Sequence, residues 1–148
     1  MADKSVIGKE YPPFLWEVER GKIREMAKAV GDNNQIYYEK KVAIKEGYKD
    51  TPAPPTYITV AEIFHDHEGE AYRDLKCKDE NVLHGGQVYE YYQEIYPGDI
   101  LTGRFKFIEF KEKESSSGKM HVVTQEIQFL NKKGELVLRA EATTIERF

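Results

Sequence analysis

The chain lacks most of what marks a specialised class of protein. It has a single cysteine, Cys77, in 148 residues, so no disulfide can form within it and a reducing compartment suits it. It lacks an excess of either charge. The 22 Lys and Arg against 26 Asp and Glu leave a formal net charge of −4, and the basic residues are scattered rather than gathered into a stripe. That excludes the electrostatic footprint of a nucleic-acid binder. No run approaches the ~20 apolar residues of a membrane span. Met1-Ala2-Asp3-Lys4-Ser5 has no apolar stretch of the kind a secretion signal carries. The expectation is a cytoplasmic protein with no nucleic-acid partner and no membrane span. Internal repeats, linkers and low-complexity tracts are also missing. What is present is apolar: 40% hydrophobic and 12% aromatic residues, enough for one domain over residues 1–148 with a core that needs no staples.

The first half reads as helical. A short strand over residues 14–18 follows Pro12 and Pro13, which mark its entry. Ile23, Met26, Ala27 and Val30 then fall on one helical face, and Gly31 stands where a C-terminal cap belongs. Residues 31–35 are a polar loop, and residues 42–46 form one short helical turn. Pro52, Pro54 and Pro55 open a new element. Its apolar residues, Tyr57, Ile58, Val60, Ala61, Ile63 and Phe64, cover most of the circumference, which predicts a helix over 56–64 buried on nearly all sides.

The second half reads as strands: 88–95, 100–110 with a bulge near Phe107 where the alternation switches face, 121–130, and 136–143. Turns at Pro97-Gly98-Asp99, 115–118 and 131–134 separate them. Strands joined by short turns are expected to pair antiparallel. The fold class is therefore α+β, a curved antiparallel β-sheet around a buried central helix.

Three segments carry a family resemblance. They are Glu17-Val18-Glu19-Arg20-Gly21-Lys22-Ile23-Arg24-Glu25 leading to Ala29-Val30-Gly31-Asp32-Asn33-Asn34; Gly47-Tyr48-Lys49-Asp50-Thr51-Pro52-Ala53-Pro54-Pro55-Thr56; and Leu83-His84-Gly85-Gly86-Gln87-Val88-Tyr89-Glu90-Tyr91 with Tyr96-Pro97-Gly98-Asp99. Together they resemble the MaoC-like (R)-specific enoyl hydratase and 3-hydroxyacyl dehydratase family, and more narrowly its N-terminal-half, non-catalytic subunit type. The resemblance implies a single hot-dog domain. It implies addition of water to a trans-2-enoyl thioester, or its removal from an (R)-3-hydroxyacyl one, with acyl-CoA or an acyl carrier protein thioester as substrate and no cofactor. Elimination needs a base for the α-proton and an acid for the departing hydroxyl, which the family supplies from a Gly-Asp-x-Asn-Pro-aliphatic-His loop.

Here Gly31, Asp32, Asn34 and Ile36 match that loop, Gln35 replaces the proline, and Tyr37 replaces the histidine. A phenol, with a reference pKa of ~10 against ~6.5 for imidazole, is a poor base at neutral pH. Paired chains of this family keep the Asp/His pair in one half only, so the resemblance implies a homodimer, or a heterodimer with a motif-bearing MaoC-like chain, in which this half shapes the acyl channel.

The candidate catalytic residues are Asp32, Asn34, Tyr37 and His84. Asp32 is either a surviving acid or water holder, or a turn residue past a helix end. Asn34 either orients Asp32 or stabilises the loop. Tyr37 either donates to a substrate oxygen or packs. His84, in a loop before two glycines, either reaches the entrance of the site in a dimer or is a polar turn residue. The candidate substrate-binding residues are Gly85, Gly86 and Gln87 in that loop, and Pro55, Thr56 and Tyr57 at the start of the buried helix, whose backbone N–H groups face a thioester oxygen in this fold. His65 and His67 with Asp66 and Glu68 read as a solvated helix end rather than a metal site. Tyr89, Tyr91, Tyr92 and Tyr96 line an acyl tunnel or cover the sheet and a dimer contact, and residues 111–114 form a solvated hairpin end. Two other functions stay open: a self-sufficient hydratase or thioesterase, and a non-catalytic acyl-thioester binder.

Overall fold

The computed structural model describes residues 2–64, 67–115 and 118–148. Its scaffold is one five-stranded antiparallel sheet in the order β1-β3-β4-β5-β2. The strands are β1 (Phe14–Glu17), β2 (Val82–Tyr91), β3 (Ile100–Ser115), β4 (Gly118–Leu130) and β5 (Leu136–Arg147). The helices are α1 (Arg20–Ala29), α2 (Lys40–Lys45), α3 (Ile58–Phe64) and α4 (His67–Leu75). Alternate residues of β3, β4 and β5 face the core, among them Leu101, Phe105, Phe107, Val123, Ile127, Phe129, Leu138 and Ala140, as the period of two requires. Against them pack Ile23 of α1, Ile58 and Ala61 of α3, and Ala71 and Leu75 of α4. This is the hot-dog arrangement that the resemblance implies. The bulge falls where the alternation breaks, between Phe107 and Glu109. The extra residue returns Phe110 to the core side, where it packs half-buried.

Several boundaries and connections read from the sequence need correction, including β3, which runs on to Ser115, and β4, which begins at Gly118. The strand expected at 88–95 begins earlier and ends at Tyr91. The Pro97-Gly98-Asp99 turn forms, with the Asp99 N–H donating to the Tyr96 carbonyl at 3.1 Å, but it does not join paired strands. β2 pairs with β5 and β3 pairs with β1, so residues 92–99 cross the end of the sheet. That crossing is pinned by Tyr92 N–H to Val137 O (2.9 Å), Gly98 N–H to Val18 O (2.8 Å) and Val18 N–H to Asp99 O (2.9 Å), and it buries Ile95 and Tyr96. The central helix starts at Ile58, and a second helix, α4, follows it. The side chains of Ile63 and Phe64 lie outside the described residues. The last strand runs on to Arg147.

One close approach makes a testable demand. A Cβ on Gly103 would stand 2.2 Å from the Phe14 ring, which lies over this strand and meets Phe129 edge-on at 5.8 Å. Gly103→Ala must push that ring off the core. Overpacking of this kind costs about 1–3 kcal/mol. The expected fall in melting temperature is about 3–10 °C; an unchanged melt would show that the ring moves freely.

Candidate functional site

The loop after α1 is tied down at every turn. Gly31 adopts φ +74°, and the Asp32 N–H reaches back to Ala27 O at 2.9 Å, a Schellman-type end that glycine permits. Asp32 Oδ1 accepts from the Asn34 N–H at 2.9 Å, and Asn34 Oδ1 accepts from the Ile36 N–H at 3.2 Å. The second bond caps a 3-10 turn, Gln35–Tyr37. The Tyr38 hydroxyl donates to Asp32 O at 2.7 Å, and Arg24 donates to Tyr38 O at 2.9 Å. Asp32 and Asn34 thus each spend one side-chain oxygen on the loop itself. Ile36 is buried and anchors the turn.

Tyr37 follows, half-buried. Its phenol pKa is raised above the ordinary value, first by burial and then by the charge of Asp32, with Tyr48 and Glu94 contributing. The phenol and the Asp32 carboxylate therefore sit in one electrostatic neighbourhood, and that neighbourhood disfavours the phenolate.

The start of α3 is built from the proline run. Ala53 N–H donates to Ile95 O at 2.8 Å, and Tyr57 N–H donates to Pro54 O at 2.8 Å. Pro55 and Thr56 are exposed, whereas Tyr57 is buried in the core. The Tyr57 ring packs 5.3 Å from Trp16, its hydroxyl reaches Glu19 O at 3.4 Å, and burial pushes its pKa up to about 12. The Tyr91 hydroxyl donates to Pro55 O at 2.5 Å and so ties the end of β2 to the mouth of α3. No hydrogen bond joins Asp32 or Asn34 to residues 55–57 among the described residues.

His84, Gly85, Gly86 and Gln87 do not form a loop. They lie inside β2, with a register shift between His84 and Gly86. His84 is exposed opposite Thr144. Gly85 is there for space: a Cβ would stand 2.9 Å from Ile145 side-chain atoms. Within one chain, His84 is roughly 23 Å along the strand from Tyr91 at ~3.3 Å per residue, so the strand keeps it apart from the mouth of α3. The tyrosine group divides. Tyr89 packs against the core and Tyr96 is buried, while Tyr91 and Tyr92 are exposed.

His65 and Asp66 lie outside the described residues, as do the side chains of His67 and Glu68. Among the described residues no cluster of His, Cys, Asp and Glu is placed to hold a metal ion. No helix there is long and apolar enough to cross a membrane.

The model of the FAS1-like, dehydratase domain region family matches residues 5–140. The chain belongs to this family. A UPF0336 protein from Saccharopolyspora erythraea is 31% identical over 147 residues, covering 98% of this chain and 91% of that protein. Among solved structures, this member of the FAS1-like dehydratase family is similar to the C-terminally truncated HadBC (3R-hydroxyacyl-ACP dehydratase) complex from Mycobacterium tuberculosis. The TM-score is 0.78 at 23% identity, covering 95% of this chain and 96% of that one. It is equally similar to a MaoC-like dehydratase, with a TM-score of 0.78 at 21% identity, covering 97% of this chain but 43% of that one. At these identities the likeness to the structures speaks for the fold, and it agrees with the MaoC-like resemblance.

One pair of residues escapes a reading of the sequence. His121 and Glu146 are buried side by side, Nδ1 to Oε2 at 3.4 Å. A signal exists: His121 shares parity with Val123, Ile127 and Phe129 on β4, so it faces inward.

Proposed function

We propose that this chain is one subunit of an (R)-3-hydroxyacyl thioester dehydratase, or trans-2-enoyl thioester hydratase, whose acid and base come from a second MaoC-like chain bearing the intact Asp/His pair. The substrate is an acyl thioester of CoA or of an acyl carrier protein. The observation that carries this reading is residue 37. It is a phenol with a raised pKa where the reaction needs a group that exchanges a proton near neutral pH. Asp32 and Asn34, held by their own turn, then form wall rather than machinery. At the start of α3 Pro55 has no N–H and the Tyr57 N–H is already donated to Pro54 O at 2.8 Å, so the backbone N–H of Thr56 is the one that serves the thioester oxygen.

The surface for the second chain is β2. It is an edge strand among the described residues, and an edge of this length is a template for another chain. It exposes Leu83 (48%) and Val88 (57%), with Tyr91 and Tyr92 at its end. Charged or small side chains are what a monomer needs there. His84, Gly85, Gly86 and Gln87 lie on this edge and meet the second chain's half of the site. The HadBC structure, itself a complex of a 3R-hydroxyacyl-ACP dehydratase, supports the two-chain reading.

The test is hydration of crotonyl-CoA by the purified chain, alone and mixed with a motif-bearing MaoC-like chain. The mixture is expected to turn over about 100-fold faster than this chain alone, the scale of one positioned acid–base group. It is also expected to exceed the second chain alone. Brisk stereospecific hydration by this chain by itself sinks the proposal, and release of free CoA would replace it with a thioesterase.

A further inference from the structure

Beyond the helices, where the β3–β4 hairpin extends, a cleft of about 650 Å³ opens. None of its lining residues belongs to the loop 31–38 or to the start of α3, so what it binds is independent of the reaction proposed above. Phe110, Met120 and Phe148 give it an apolar lining, and His121 enters it from β4. The volume falls within the ~300–1,000 Å³ of small-molecule pockets.

His121 is the unusual feature. It is 8% exposed, with its ring 4.8 Å from Phe110 and 4.6 Å from Phe148. Its Nδ1 is buried and has no hydrogen-bond partner, although Glu146 Oε2 lies 3.4 Å away. Glu146 is 1% exposed. It is fixed by accepting the Ala2 N–H at 2.7 Å and the Lys78 N–H at 3.1 Å. A buried polar pair of this kind is costly to keep without a task. The Glu146 carboxylate is the polar group that faces Nδ1, so a neutral ring with its proton on that side presents the Nε2 lone pair as an acceptor. The rim carries both signs: Lys76 is paired with Asp3 at 2.8 Å, and Lys4, Lys113 and Lys119 stand beside Glu112 and Glu114, so a mixed surface with one positive charge in excess does not select for a charged ligand.

We propose that this cleft binds a neutral, flat, multi-ring molecule whose rings lie on Phe110, Met120 and Phe148 and whose hydroxyl donates to His121 Nε2. The probe is 1-hydroxypyrene, followed by its fluorescence, with 1-methoxypyrene as the analogue that cannot donate and 1-pyrenecarboxylate as the anion. The expected result is saturable binding at one site per chain, with movement of the His121 imidazole C–H resonances. The methoxy analogue is expected to bind about five- to tenfold more weakly, the scale of one hydrogen bond. His121→Phe keeps an aromatic ring between Phe110 and Phe148, so it should remove the preference for the hydroxyl while both compounds still bind. Equal affinity for the hydroxy and methoxy compounds on the wild-type chain overturns the proposal, as does no binding at all. Tighter binding of the carboxylate overturns it too, because the lysines would then be selecting the ligand. These comparisons on the wild-type chain do not depend on any variant folding, or on the chain having a second subunit.

Discussion

Tyr37→His is expected to give the solitary chain crotonyl-CoA hydration about 100-fold above wild type, while Tyr37→Phe leaves the two-chain enzyme's rate within about twofold. The argument is positional. The Asn34 side chain caps the 3-10 turn, buried Ile36 anchors it, and the Tyr38 hydroxyl holds the Asp32 carbonyl at 2.7 Å. Residue 37 is therefore delivered beside Asp32 by its neighbours rather than by its own phenol. After burial itself, the Asp32 charge is the largest influence on that phenol. An imidazole in its place, with a reference pKa of ~6.5, titrates where the reaction needs it and has a carboxylate to orient it. The phenol does neither, and burial pushes it further from use. The expected gain stays at the low end of the ~10²–10⁴-fold range for general acid–base groups, because Asp32 Oδ1 is already committed to the Asn34 N–H at 2.9 Å. Initial rates at saturating crotonyl-CoA decide the matter. A histidine variant no faster than wild type would mean that the rest of the site is not shaped for the substrate, so the defect would not be one missing side chain. A tyrosine-to-phenylalanine variant that silenced the two-chain enzyme would give the phenol a chemical role.

How far the sequence reaches differs between the two halves of the fold. Alternation on β3, β4 and β5 is legible because each strand buries one face, and the break near Phe107 is legible because a bulge shifts parity. The pairing of β2 is not. Short turns suggest hairpins, and nothing in residues 92–99 announces that they cross the sheet. That crossing is decided by backbone bonds to Val18, Val137 and Ala53, which are remote in sequence. Helix α4 escapes notice because the buried ones among its described side chains, Ala71 and Leu75, are few and sit among charged ones. The loop 31–37 is readable residue by residue, since Gly, Asp and Asn have local conformational tasks. His84 is misplaced by pattern alone because two glycines read as a turn, whereas Gly85 makes room for Ile145 across a strand pair. His121 and Glu146 stay hidden because they are remote in sequence and meet only through the β4–β5 register, His121 opposite Glu146.

Asp50→Asn is expected to cost about 2–3 kcal/mol at pH 7, and most of that cost should vanish in acid. Asp50 joins three segments of the helical layer. Arg20, the first residue of α1, donates to both of its oxygens, at 2.7 and 2.9 Å. Lys40, the first residue of α2, reaches it at 2.8 Å. The Thr51 N–H donates to it at 2.7 Å, and Arg20 also donates to the Thr51 hydroxyl at 3.0 Å, at the head of the proline run. The Asp50 side chain is 14% exposed, but those of Arg20 and Lys40 are 45% and 53% exposed. Solvent therefore screens the pair, and the cost stays below that of breaking a fully buried one. The Arg20 guanidinium, then Lys40 and the Thr51 N–H, hold the Asp50 carboxyl well below the usual carboxylate range against the opposing effect of burial. A carboxyl whose folded-state pKa is depressed contributes fully above its unfolded value, near ~3.9, and loses that contribution as pH falls toward the folded value. Wild-type stability should therefore decline below about pH 5 and go on declining to the lowest pH at which the chain stays folded. The Asp50→Asn variant starts lower and declines less, so the two urea midpoints converge as pH falls. Midpoints that stay parallel from about pH 7 to about pH 3, the window in which a carboxylate of this kind titrates, would show that the Asp50 charge contributes nothing and that the bidentate geometry is decoration. Convergence would assign to Asp50 the part of the acid sensitivity that the variant loses; the decline the variant keeps belongs to other paired carboxylates, such as Asp74 on α4, which Lys9 and the Tyr11 hydroxyl also hold below the ordinary range.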